Sequence, residues 1–268
     1  MDLFNSQPIQ LITKFITKGH ERSVKAKKNI ISSLLIKGAG IAISFVTLPI
    51  TLNYVDSATY GVWLTMSSIV GWFVFFDVGL THGLRNRFAE AKARGDDNLA
   101  RAYVSTTYFI LGIIFSGVWL IFLITNNFLD WSKILNVSAN MRSDVTTLAI
   151  IVFTYFCISF VFRIITTILL ADQYPAKSSL IDLMGQALAL IIILVLVRTT
   201  EGSLIKLGLA LCVSPLIVII GANFIFFNGR YKKYRPSFAT VKLSHTRNLF
   251  SLGVKFFIIQ LAAIIQYQ

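Results

Sequence analysis

The sequence predicts an all-α fold: a polytopic transmembrane helical bundle, with one six-helix lobe followed by the first helix of a second. Three observations predict it. Seven apolar runs each approach the ~20 residues that a helix needs to cross a ~30 Å hydrocarbon core. Of 268 residues, 55% are hydrophobic and only 14% charged, with a mean hydropathy of +0.71, far from an ordinary soluble domain. The basic residues fall between the apolar runs and alternate between crowded and sparse linkers, as they do when charge orients a chain in a bilayer.

Residues 1–28 read as a cytoplasmic basic segment and not as a secretory signal. The first long apolar run starts only near Asn29, exceeds a signal core, and lacks a small-residue cleavage site. Ile9, Ile12, Phe15, Ile16 and Gly19 lie near one helical face, with Lys14 and Lys18 away from it. An interfacial helix and a floppy basic tail both fit that pattern.

The seven spans are expected at about 30–52, 61–82, 103–125, 146–170, 178–197, 204–227 and 249–268. The runs are too long for barrel strands, and a span in hydrocarbon must satisfy its own backbone, so each is expected to be a helix. Pro49 and Pro215 lie within spans, where neighbouring helices can cover the freed carbonyl. The domain division is therefore 1–28 basic segment, 29–228 six-helix lobe, 229–248 cytoplasmic basic linker, and 249–268 first helix of a truncated second lobe.

The second span and its exit organise the chain. FDVGLTHGLRNRFAEAKARGDDNLAR, residues 76–101, carries Asp77 among apolar neighbours and leaves the span through Gly79 and Gly83. It then turns basic with Arg85, Arg87, Lys92, Arg94 and Arg101. Glu90 and Arg94 stand four apart, which suits a short surface helix. Gly95 can close that helix, and Asp96 or Asp97 can cap the next.

The Lys/Arg census sets the orientation. The N-terminal segment carries six, the second linker five, the fourth linker Lys177, and the sixth linker six: Arg230, Lys232, Lys233, Arg235, Lys242 and Arg247. The odd-numbered linkers carry only Lys133, Arg142, Arg198 and Lys206. Eighteen against four places the N-terminus in the cytoplasm. This arrangement explains the net charge of +13 without nucleic acid as a partner; the bilayer is the partner. Cys157 and Cys212 lie in apolar runs and read as small core residues. His20, His82 and His245 form no metal spacing.

An internal repeat follows. Ser33-Leu34-Leu35-Ile36-Lys37 in span one and Ser251-Leu252-Gly253-Val254-Lys255 in span seven share S-L-x-x-K, six spans apart. Each lies a turn or two into a helix approached from the cytoplasm. Six helices and a restart suggest a transporter of two parallel lobes, and on that reading the chain is a fragment of a longer protein with at least five more helices.

These features carry a resemblance. The basic approach to span one (KAKKNIISSLLIKGAG), the Gly61-Val62-Trp63 after a short outer loop, and the FDVGL and RNRFAEA exit from span two resemble the N-terminal half of a Wzx-type polysaccharide flippase. That family belongs to the multidrug/oligosaccharidyl-lipid/polysaccharide exporter superfamily. The resemblance spans the whole chain through loose motifs. It implies a V-shaped exporter of about 12 or 14 helices. Such proteins flip an undecaprenyl-pyrophosphate-linked oligosaccharide across the inner membrane for O-antigen, lipopolysaccharide, capsule or exopolysaccharide synthesis. It further implies coupling to a cation gradient, no cofactor and no enzymatic step.

The candidate site residues are the ionisable groups within spans. Each costs about 2.5–3.5 kcal/mol at a helix centre, so each needs a partner, water or a route to the interface. Arg163, Lys37 and Lys255 are the candidates for an anionic lipid pyrophosphate, and Arg suits it best through its planar fork. Lys37 and Lys255 have a second reading, in which their ammonium groups snorkel to the headgroups. Asp77 is a coupling or ion-pair residue, partnered by Arg163 or a lysine. Asp182, near the start of its span, reads as a helix cap. Trp63, Trp72 and Trp119 read as core or belt residues, and Trp131 as an outer-interface residue. Gly38, Ala39, Gly40 and Ala42 suit close helix packing.

Two rivals remain at this level. A multidrug exporter of the same superfamily would favour an acidic, aromatic cavity. A membrane-embedded glycan polymerase or ligase would need a large outer loop for its chemistry, and the outer linkers are short. No nucleotide-binding or hydrolase motif appears in the sequence.

Overall fold

Helices build most of the described chain, which in this computed structural model is residues 21–72, 80–246 and 249. In order they are α1 (Glu21–Tyr54), α2 (Ser57–Trp72), α3 (Leu80–Ala93), α4 (Asp97–Asn126), α5 (Trp131–Ile134), α6 (Arg142–Phe162), α7 (Ile164–Ala171), α8 (Pro175–Thr199) and α9 (Leu204–Asn228). Three single 3₁₀ turns follow, at Lys232–Tyr234, Phe238–Thr240 and Leu243–His245. The all-α helical bundle expected from composition is the observed fold.

Five stretches are long and apolar enough to cross a bilayer: Lys27–Tyr54, Asp97–Asn126, Ala139–Ala171, Pro175–Thr199 and Leu204–Asn228. They contain the expected first, third, fourth, fifth and sixth spans. The second expected span starts as α2, but residues 73–79 lie outside the described residues. So does the seventh span apart from Leu249, and so does the segment 9–19. Large apolar side chains point outward from the long helices, among them Leu35, Phe45, Phe224 and Ile225, each about seven-tenths exposed. In water that surface would drive aggregation; against acyl chains it is the matching solvent.

Local chemistry sets the helix ends as the sequence suggests. Asp56 accepts the Ala58 and Thr59 amides, both at 2.9 Å, at the start of α2. Glu90 takes Arg94 at 2.6 Å on α3, and Gly95 closes that helix at φ +74°, where a side chain would be strained. Asp96 then accepts the Leu99 amide at 2.9 Å and caps α4.

Packing is not in chain order. α1 lies along α8, which in turn packs on α9, and α9 on α6. Ser33 bonds Ser179 at 3.1 Å and Tyr54 bonds Thr200 at 2.9 Å, both pairs 146 residues apart. A constant offset means that α1 and α8 run parallel, as the first and fifth spans must. Gly185 permits the α8–α9 approach, since a Cβ there would stand 3.0 Å from the Pro215 backbone. On the other side, α4 packs on α3 and α6, around a Phe115–Phe160 stack at 4.2 Å and a Phe122–Phe153 stack at 3.9 Å. Cys157 and Cys212 are buried, unpaired thiols. Trp131 is buried against Phe122, donating to Asn126 at 2.7 Å.

The segment after α9 is no loose linker. Tyr231 and Tyr234 are each 1% exposed. Tyr234 donates to Asp97 at 2.5 Å and meets the Phe88 ring edge-on at 5.0 Å. Ser105 bonds Thr240 at 2.7 Å, and the Lys242 amide donates to Thr106 at 3.0 Å. This strap ties the ends of α3, α4 and α7 into one face.

Candidate functional site

The fourth span is broken at Arg163, and the break makes the site. In a continuous helix the Phe162 carbonyl would accept the Thr166 amide. Here that amide goes to the Arg163 carbonyl at 2.9 Å, as does the Thr166 hydroxyl at 2.7 Å. Arg163, at φ −65° and ψ −9°, ends α6 and precedes α7. The freed Phe162 carbonyl accepts the Asn223 amide of α9 at 2.8 Å. No Pro or Gly marks FVFRIITT, so sequence offered no sign of this turn.

Arg163 stands on the wall shared by two cavities. The first, of about 730 Å³, lies between α1 and α8 and is lined by Lys37, Ser44, Thr47, Tyr60, Asp182 and Gln186 together with Arg163. The second, of about 720 Å³, opens between α2, α3 and α6, with Trp63, Ser67, His82, Phe160 and Thr167 in its wall. Tyr155, Arg163 and Leu211 line both. One face is charged, the other aromatic and hydroxyl-bearing.

Arg163 donates through Nη2 to Asp182 Oδ1 at 3.0 Å, with the two side chains 51% and 41% exposed. Asp182 is therefore not the expected cap. α8 starts at Pro175, two turns earlier, and the carboxylate reaches across to the α6–α7 break. Both side chains open to the first cavity, so an anion entering it can reach the guanidinium. Lys37 is exposed and lines the first cavity on α1, making no ion pair among the described residues. With Arg163 and Asp182 it leaves that cavity one positive charge in excess.

Two of the expected site residues, Arg163 and Lys37, thus come together. Asp77 and Lys255 lie outside the described residues. Sequence reading missed Asp182 as a partner, Gln186 as a cavity amide, and Asn223 as the cover for the break. Each is a polar group in an apolar run, a signal that a partner exists but not of which one.

A family model described as polysaccharide biosynthesis protein matches residues 26–268. No curated protein and no solved structure matches the chain.

Proposed function

The chain belongs to the polysaccharide biosynthesis protein family, the family of Wzx-type flippases, and we propose that it carries an undecaprenyl-pyrophosphate-linked oligosaccharide across the cytoplasmic membrane. It is a multi-pass membrane protein of a transporter family; the substrate and the direction are our reading. The observation that carries this reading is Arg163 on the wall between two cavities, with Lys37 beside it in the first. A pyrophosphate has the charge and the oxygen geometry for a guanidinium fork. Lys37 would supply a second, more mobile cation, and Lys255 is proposed as a third.

The two cavities divide the ligand by chemistry. The charged first cavity suits the phosphates. The second is lined by Trp63 and Phe160, and by Ser159 and Thr166, whose hydroxyl protons already go to backbone carbonyls. Such a wall accepts hydrogen bonds, and a sugar donates them. The lipid tail would stay in the bilayer while an opposing lobe alternates access to the site. With the N-terminus in the cytoplasm, as the eighteen-to-four basic census supports, Lys37 and Asp182 lie in the cytoplasmic halves of their spans. Asp77 would serve as a coupling or ion-pair residue, drawing on a cation gradient.

Asp182 is the one observation that favours the rival multidrug reading, because a carboxylate lining the first cavity attracts cations. Two cations against one carboxylate favour the anion. Lipid-linked glycan turnover in proteoliposomes tests the choice. Pyrophosphate-linked lipid should compete with export and cationic dyes should not; competition by the dyes alone would overturn the reading.

A further inference from the structure

The buried amide of Asn223 uses nearly all its bonding capacity on one task. Its Nδ2 donates to the Phe162 carbonyl and to the Ile219 carbonyl, both at 2.8 Å. Its Oδ1 accepts the Tyr108 hydroxyl at 2.5 Å, which fixes which way the amide faces. Asn223 is 7% exposed, and Tyr108 is held edge-on against Phe227 at 5.8 Å. Three helices, α4, α6 and α9, therefore meet at a carbonyl that the broken helix cannot satisfy itself. In an apolar interior an unpaired carbonyl would be driven back into an i→i+4 bond with the Thr166 amide. That would rebuild a continuous helix through Arg163 and rotate its side chain away from the shared wall.

We propose that Asn223, oriented by Tyr108, is a positioning residue that holds the α6–α7 break open and so sets Arg163 between the two cavities. The inference rests on the reading of Arg163 as the anion ligand. Asn223 touches no ligand in this arrangement; it acts through the backbone at Phe162. Replacing it by leucine keeps the γ-branched shape at somewhat greater bulk and removes both donors, so the break loses its cover while the helix interface stays filled. Tyr108→Phe keeps the ring against Phe227 and removes only the hydroxyl that orients the amide.

The experiment is inorganic pyrophosphate binding to the purified full chain in nanodiscs, by calorimetry, with melting followed for each variant. Arg163→Ala should abolish most of the affinity. Asn223→Leu should weaken it about tenfold, since a side chain displaced by a fraction of a turn loses its productive geometry. Tyr108→Phe should weaken it by a smaller factor in the same direction. With Arg163 already alanine, adding Asn223→Leu should change affinity by less than about twofold, because the two act as one unit. A merely structural Asn223 would instead lower melting in every background and weaken binding additively, which overturns the inference. So does unchanged affinity in both Asn223→Leu and Tyr108→Phe. If the unsubstituted chain binds no pyrophosphate, or Arg163→Ala binds it normally, the anion-site reading falls first and this inference with it. Should Asn223→Leu fail to fold, Tyr108→Phe in the two Arg163 backgrounds decides alone.

Discussion

Arg163 and Asp182 face each other at 3.0 Å across the α6–α7 break, nineteen residues apart in sequence and both about half exposed. On the proposed reading of Arg163 as the anion ligand, the carboxylate competes for the same guanidinium. Removing it without changing shape, by Asp182→Asn, should free the guanidinium. Because the pair is solvated and screened, the gain is modest, about two- to fivefold in pyrophosphate affinity. A loss of affinity would mean that Asp182 holds Arg163 in its productive setting.

What the sequence disclosed here follows physical range. The spans, their order and the α3–α4 turn depend on local composition, on Gly95 and on Asp96, all within a few residues of where they act. The partner of Arg163 does not. Asp182 is a carboxylate in an apolar run, and only three-dimensional packing brings it to the break. The strap after α9 was equally hidden. GRYKKYRPSFATVKLSHT looks like a basic, polar loop, yet Tyr231 and Tyr234 are among its most buried residues. Their burial depends on Asp172 and Asp97, each more than fifty residues away in the chain.

Asp172, just after α7, anchors the start of that strap. It accepts Tyr231 at 2.9 Å, lies 3.6 Å from Arg230, and is ion-paired to Lys92. Its side chain is 13% exposed. Asp172→Ala leaves a buried phenol without an acceptor and two cations without a counter-charge. The expected cost is about 2 kcal/mol, read as earlier thermal unfolding in detergent. An unchanged transition would show that Arg230 and Lys92 re-pair with water at no cost.

The basic asymmetry predicts topology. Single cysteines placed in residues 83–101 and 229–246 should react with a membrane-impermeant maleimide only after cells are opened, and those in 127–141 in intact cells. Labelling of Lys242→Cys from outside would reverse the assigned orientation.

His245 predicts a pH dependence in the strap. Its ring meets Tyr103 at 5.1 Å. Burial, and secondarily Lys242, hold its pKa below the ordinary 6.5. A base with a lowered folded pKa is more readily protonated when unfolded, so stability is full above about pH 6.5 and falls as pH drops below that value. Protection against amide exchange across residues 237–246, measured relative to the intrinsic rate at each pH, should fall below pH 6.5, and His245→Gln should flatten the change. A strap that loosens equally in both proteins would assign the effect to another group.

The sharpest expectation concerns Arg163 itself. A guanidinium sets two parallel donors against two phosphate oxygens, whereas an ammonium offers one mobile point charge. If the fork binds the ligand, Arg163→Lys should fall well short of wild-type export despite its retained charge, and Arg163→Ala should lose at least about tenfold. If Arg163 serves only to neutralise Asp182, the double change Arg163→Ala/Asp182→Asn should restore what the single change lost, since neither member of the pair then remains unbalanced. The measurement is glycan export by the full-length protein, with membrane levels matched for each variant. We expect lysine to fail and the double change not to rescue. Rescue would make the pair structural and leave Lys37 to bind the anion; normal export by Arg163→Ala would remove the guanidinium from the transport site altogether.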